Sequence, residues 1–215
     1  MITVISTGCG PVTREKCRAS VRGQAGVEFD HVVLDAAEQH PPRPPMINLI
    51  DAVADLPDDR IVVHLDLDDW LARRDALLIV ERLHGAGAWL TYGSFEFADG
   101  RVPHWMAPYK PGEDVRRSQW RGSHLKTFRA GLFRKIKPSD LMLDGLPIEH
   151  ARDLAAMFPM IEMAGPRAVF CPEVLAIYNY GSSTEFTGDA AVWEAERRCV
   201  AHVRGMPAYA EIGEL

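Results

Sequence analysis

Three aspartates within four positions, Asp66, Asp68 and Asp69, close the apolar run Ile61-Val62-Val63-His64-Leu65 and precede Trp70. In an extended strand, residues two apart face the same way, so Asp66 and Asp68 are expected to aim at one point. Carboxylates that close repel each other unless a cation or a shared proton lies between them. Hard oxygen ligands of this kind suit Mg2+ or Mn2+, ions that also take phosphate oxygens. A single aspartate would suffice to cap a helix beginning near Trp70. Three at the end of an apolar strand are more than capping needs, although Asp-x-Asp by itself is a short and unspecific pattern.

The surrounding sequence supplies elements that would hold such a cluster at a sheet edge. Residues 2–5 form a β-branched run, followed by a Gly8-Cys9-Gly10-Pro11 turn and a helix over 13–24 with Thr13 at its start. Residues 31–34 form a second strand ending at Asp35, and the proline-rich loop 40–45 cannot be helical. A helix over 46–56, a strand over 61–65, a helix over 70–84 and a strand over 88–92 complete the first part. This alternation predicts an α/β fold with a mostly parallel central sheet flanked by helices. In such sheets ligands gather beyond the carboxyl ends of the strands, where Asp35 and the aspartate cluster are expected.

The second half is less regular. A turn is expected at 97–101, a short helix over 127–133 and a firmer helix over 151–164, in which Pro159 should introduce a kink or an early end. Residues 169–171 and 174–178 are strand-like, and Asp189 can cap a last helix reaching about Val203.

A length of 215 residues suggests one domain, divided into a first half over 1–95, a second over 96–180 and a terminal helix over 181–215. No apolar run reaches the roughly 18 residues that a membrane span requires. The first residues lack the basic start and cleavage site of a signal peptide, so a cytoplasmic location is expected. Cys9, Cys17, Cys171 and Cys199 form no Cys-x-x-Cys pair, which points to free thiols rather than zinc ligands or a disulfide framework. The net charge of −6 argues against a surface that grips nucleic acid throughout. Residues 116–137, however, carry Arg116, Arg117, Arg121, Lys126, Arg129, Arg134, Lys135 and Lys137 without an acid, with Trp120, Phe128 and Phe133 among them.

The string around Asp66 resembles two families. One is the haloacid-dehalogenase-type phosphatases, which would make Asp66 a nucleophile and Asp68 an acid/base, with Gly188-Asp189 as the candidate for a further acidic element. The other is the family-2-like glycosyltransferases of the glycosyltransferase-A fold, in particular a small stand-alone bacterial and phage-type subset. This second resemblance extends over about residues 1–180. It includes residues 2–24 as an opening strand, loop and helix, and Asn48 in the helix before the acidic strand. Its more specific parts are Trp120-Arg-Gly-Ser-His-Leu-Lys-Thr-Phe-Arg-Ala-Gly-Leu-Phe133 and Arg152-Asp153-Leu154-Ala155 followed by residues 158–165. The chain departs from the family pattern at Thr7-Gly8-Cys9-Gly10-Pro11, at Arg152 in place of an acid, and at Asn179-Tyr180-Gly181-Ser182, where some relatives carry a histidine ligand.

The transferase resemblance implies a metal-dependent, inverting transfer from a nucleotide-diphosphate sugar, a UDP-sugar in the first instance, with Mn2+ or Mg2+ as cofactor. It implies Asp68 as a metal ligand, Asp66 at the metal or the ribose, and Asp69 as a helper. Asp35 and Thr7 would contact the nucleotide, and Asp153 would serve as the catalytic base. Trp120, Arg121 and His124 would contact acceptor or diphosphate. The acceptor hydroxyl would belong to a hydroxymethylated pyrimidine in phage-type DNA, a glycan, a lipid-linked sugar or a protein side chain. A non-catalytic nucleotide-binding module is the third reading the residues allow.

Overall fold

Apolar strands buried on both faces dictate the architecture. The computed structural model describes residues 1–8, 13–180 and 189–215. Cys9, Gly10 and Pro11 of the first loop, and Gly181, Ser182 and Gly188, lie outside the described residues. Strands β1 (Ile2–Gly8), β2 (Phe29–Asp35) and β3 (Ile61–Asp66) pair in parallel, β1 in the middle. Further along come β4 (Trp70–Leu71), β5 (Leu90–Phe97), β6 (Lys126–Arg129) and β9 (Ala168–Tyr178). Together they form a seven-stranded sheet in the order β2-β1-β3-β6-β5-β9-β4. Strands β6 and β4 run against the other five. The mostly parallel expectation therefore holds, with one reversed strand inserted at the centre.

Alternation along each strand sorts side chains between two cores. Ile2, Val4, Val63 and Leu65 join Val21 of α1 (Arg14–Arg22) and Leu77 and Val80 of α3 (Ala76–Gly85). Ile5 and Val62 join Leu49 and Val53 of α2 (Pro45–Ala54), Leu132 of α4 (Ala130–Arg134) and Phe158 of α5 (Arg152–Ala164). Val203 of α6 (Ala190–Gly205) belongs to this second core. Each fully buried Leu, Ile or Phe contributes about 1.5–3 kcal/mol. A two-stranded hairpin, β7 (Met142–Leu143) and β8 (Leu146–Pro147), leads into α5. Its two-residue loop, Asp144-Gly145, has positive φ at both positions, as a type I′ turn requires.

Several local expectations are corrected. Residues 70–71 pair with Ile177 and Ala176, so the helix expected from Trp70 starts only at Ala76. Lys126–Arg129 is a strand because Val62, Val63 and His64 of β3 and Leu90 and Thr91 of β5 offer it ladders on both sides. Only residues after it are helical; tertiary pairing overrode local propensity. Thr13 stands at the start of α1 without a side-chain cap. Helix α5 continues through Pro159, and residues 168–178 form one strand rather than two. Asp189 does cap α6, accepting from the Ala191 amide at 2.8 Å.

Candidate active site

The carboxyl ends of β1, β2 and β3 lie side by side, Thr7 opposite Asp66 and Gly8 opposite Asp35. Because β6 runs the other way, its first residue, Lys126, arrives at this same edge and pairs with His64. Helix α5 brings Asp153 in its first turn, where the dipole favours a carboxylate. Residues far apart in sequence are thus placed together by topology.

Lys126 is 1% exposed and its ammonium donates to Asp66 Oδ2 at 2.8 Å and to Asp153 Oδ1 at 3.1 Å. A buried ammonium is tolerable only with such partners. Burial would favour its neutral form, but Asp153 and Asp66 outweigh this and hold its pKa above the ordinary value. Burial pushes the Asp66 carboxyl up, yet Lys126, His64 and Arg152 bring it well below the usual range. Asp153 is likewise lowered, burial and Asp66 opposing and Lys126 prevailing. His64 accepts or donates at Thr7 Oγ1 (3.0 Å) and lies 3.9 Å from Asp66 Oδ1; burial pushes its pKa down to about 4, so the ring is neutral.

A second group adjoins the first. The chain leaves β3 after Asp66 and turns, the Asp69 amide donating to the Asp66 carbonyl at 3.0 Å. Strand alternation therefore stops before Asp68, and Asp69 rather than Asp68 comes beside Asp66. The expectation had paired Asp66 with Asp68. Asp69 is 1% exposed; its Oδ1 accepts from the Asn179 amide at 2.8 Å. Its Oδ2 lies 3.0 Å from His124 Nε2 yet forms no hydrogen bond of sound geometry. The ligand atoms of Asp66, Asp69 and His124 all fall within 4.8 Å of one another. His124 Nδ1 is 2.7 Å from Ser123 Oγ, which can fix the tautomer and leave Nε2 facing the carboxylates. The imidazole stacks on Tyr178 at 4.8 Å and meets Phe95 edge-on at 5.5 Å. Burial and Lys126 lower its pKa, but Asp69 more than offsets them and the net shift is upward. Two carboxylates and one imidazole, with a buried oxygen lacking a hydrogen bond, fit a divalent cation of the Mn2+ or Mg2+ type.

The remaining expected residues are placed as follows. Asp35 is buried at the end of β2, held by Arg14 at 2.9 Å and by the Ala37 amide at 2.9 Å. Burial raises its pKa, but Arg14 and that amide leave it lowered. Asp68 is half-buried and outside the three-residue cluster. Trp120 packs edge-on against Phe158 at 5.3 Å, with Gly122 close beneath its ring. Arg121 is engaged by Glu113, by the Pro108 carbonyl at 3.1 Å and by the Tyr109 ring.

Much of the basic stretch is engaged in contacts within the fold, while Arg117, Lys135 and Lys137 are exposed. Arg116 pairs with Glu162 at 2.6 Å, Lys126 with the two aspartates, and Arg134 with Asp58, while Arg129 donates to backbone carbonyls. Phe128 and Phe133 stack on each other in the core. These residues do not form a continuous surface of cations and aromatics. Sequence reasoning counted Lys126 only as one cation of the basic stretch and gave His64 no role. The clue lay in Leu125-Lys126-Thr127-Phe128, where Lys126 falls on the same period-two face as Phe128, beside the β-branched Thr127.

No family model matches the sequence, and no curated protein matches it. Solved structures do. S. aureus TarS 1-349 superposes with a TM-score of 0.63 at 14% identity, over 97% of this chain and 66% of that one. The fold is glycosyltransferase-A. The same TarS fragment in complex with UDP-GlcNAc gives a TM-score of 0.64 at 12% identity, covering 97% and 68%. Mannosyltransferase PcManGT from Pyrobaculum calidifontis, in complex with GDP-Man and Mn2+, gives 0.58 at 19% identity, covering 97% and 65%. The chain spans about two thirds of the length of these structures, and 40% of a longer TarS chain. No helix among the described residues is long and apolar enough to cross a membrane.

Proposed function

We propose that the chain is a glycosyltransferase that moves a sugar from a nucleotide diphosphate to an acceptor hydroxyl, with inversion at the anomeric carbon. The observation that carries this reading is the grouping of Asp66, Asp69 and His124 beside Asp153 at the carboxyl edge of a glycosyltransferase-A sheet. Neighbours of this fold bind UDP-GlcNAc and GDP-Man with Mn2+, and a UDP-sugar is the favoured donor. Asp66, Asp69 and His124 would hold the divalent ion, with Asp68 as the alternative ligand if the turn rearranges. When bound, such an ion neutralises charge that develops on the departing diphosphate.

Thr7 and Asp35, at the ends of β1 and β2, line the position for the nucleoside. Asp153 is ionised through Lys126 and presents its second oxygen to the acceptor hydroxyl. It accepts the hydroxyl proton as that oxygen bonds to the anomeric carbon. The bond from that carbon to the diphosphate oxygen breaks, and its electron pair leaves with the nucleoside diphosphate. A single displacement of this kind inverts the carbon. Arg121 bonds the Pro108 carbonyl and Trp120 packs on Phe158, contacts that would hold residues 108–122 in place on the acceptor side. With Arg116, Arg121, Lys126, Arg129 and Arg134 of the basic stretch engaged within the fold, hydroxymethylated DNA stands as one acceptor class beside glycans.

The test incubates protein with Mn2+ and a panel of UDP- and GDP-sugars while free nucleoside diphosphate is measured. Turnover should vanish in Asp69→Asn and in Asp153→Asn, the latter keeping nucleotide-dependent thermal stabilisation. Phosphate release from small phosphoesters that is lost in Asp66→Asn would favour the phosphatase instead. Stabilisation by nucleotides with no turnover on any acceptor would mark a binding module. Product mass on hydroxymethylated DNA and on simple glycans then separates the acceptors.

A further inference from the structure

In the proposed reaction Lys126 only keeps Asp153 ionised, yet its position touches more than that one carboxylate. Its ammonium sits between the two carboxylates given different tasks, 2.8 Å from Asp66 Oδ2 and 3.1 Å from Asp153 Oδ1. Asp66 Oδ2 is also the oxygen that lies 3.9 Å from His124 Nε2. One carboxylate oxygen therefore faces both the ammonium and the position between Asp66, Asp69 and His124. Two cations cannot share it at full strength, because like charges a few ångströms apart in a buried site repel strongly. The lysine backbone is fixed by its pairing with His64, but its four-carbon stem lets the ammonium shift between anchors.

We propose that Lys126 is a resident cation that exchanges with the divalent ion, pairing with Asp66 while the ion is away and withdrawing onto Asp153 when Asp66 turns toward it. This rests on the reading of Asp66, Asp69 and His124 as the ion's ligands. The exchange keeps Asp66 and Asp153 compensated in either state, so the edge of the sheet never holds uncovered adjacent carboxylates. It also makes the orientation of Asp153 depend on whether the ion has arrived. Lys126 is thus a positioning residue that links ion loading to the base.

Mn2+ affinity, read by electron paramagnetic resonance of the free ion, tests this without turnover. Removing the competing charge in Lys126→Gln should tighten Mn2+ binding by about tenfold or more. Lys126→Arg, which keeps the charge, should bind as the wild type does. A folded Lys126→Gln that binds Mn2+ no more tightly than wild type overturns the exchange. If Lys126→Gln fails to fold, the wild-type ammonium decides the matter through its nitrogen resonance in 15N-lysine-labelled protein. That signal should move with the same midpoint as Mg2+ binding, and a signal that stays in place while Mg2+ binds overturns the exchange. The underlying reading fails in a different way: Asp69→Asn would then bind Mn2+ as well as wild type does. In that case, stabilisation by UDP-GlcNAc without metal would still show a nucleotide-sugar site, with transfer left to the turnover assay.

Discussion

Replacing His84 by glutamine should flatten the acid side of the stability curve. His84, in the last turn of α3, is 2% exposed, and its Nε2 lies 2.8 Å from Thr127 Oγ1, which meets Thr91 Oγ1 at 2.5 Å. Burial, with Arg129 acting in the same direction, pushes its pKa from 6.5 down to about 3. The unfolded chain therefore takes up this proton near pH 6.5, whereas the folded chain resists it until about pH 3. Stability is complete above the first value and is lost as pH falls toward the second. At about pH 5, roughly one and a half units below the unfolded pKa, the loss from this one residue is about 2 kcal/mol. Glutamine can keep a donor near Thr127 and does not titrate. Its imperfect hydrogen bond should cost about 1 kcal/mol at neutral pH, but the drop between about pH 7.5 and 5 should shrink by about 2 kcal/mol. Urea unfolding followed by circular dichroism at the two pH values measures both quantities. His31 and His64, each lowered to about 4 with burial as the largest cause, are present in both proteins and cancel in the comparison. An equal acid loss in wild type and His84→Gln would refute the reasoning.

Three further perturbations follow from packing and charge. Phe158→Ala removes a fully buried ring that Trp120 meets edge-on, and thermal melting should register a loss of about 3–5 kcal/mol. In Gly93→Ala the new methyl would lie 2.4 Å from the Cys171 carbonyl oxygen, just where the β5–β9 register shifts, so the strands must part. That should destabilise by about 1–3 kcal/mol or more, and an unchanged melting temperature would contradict it. Glu162→Leu strands the Arg116 guanidinium, 3% exposed, and frees the Tyr209 amide; about 3–5 kcal/mol should be lost in denaturant titration. Adding Arg116→Met in the same protein should restore much of that loss, since no unpaired charge then remains.

How far the sequence leads differs between fold and site. Apolar runs such as Ile2–Ile5 and Ile61–Leu65 announce buried strands because burial on both faces leaves a local signature. Asp66 at the end of β3 was legible for the same reason, because it stands at an element boundary that the local pattern marks. Asp153 entered only through the family resemblance of residues 152–165, its place in a first turn being equally that of a capping acid. Reading Asp68 as the partner of Asp66 assumed that the strand continued, and the turn that brings Asp69 inward is set by contacts with Asn179, 110 positions away. Lys126 was misread because its environment comes from pairing with His64 across sixty residues. A lysine in an unpaired segment is solvated; the same lysine between two ladders is core. Residues 70–71 gave no sign of joining a sheet, since two residues carry no period and the edge they complete belongs to β9.

The reversed strand has a consequence for how the chain can be divided. Between β3 and β5, both written in the first hundred residues, lies β6, written near residue 126. A fragment ending before β6 would also lack α5 and β9, leaving β3 with one unpaired margin, β5 with two, and Asp66 without its ammonium. The two portions of the polypeptide are interleaved like the teeth of a zip. Separately expressed pieces should therefore recover structure only when mixed, and a tag or fusion point belongs at the chain ends, not at the apparent midpoint.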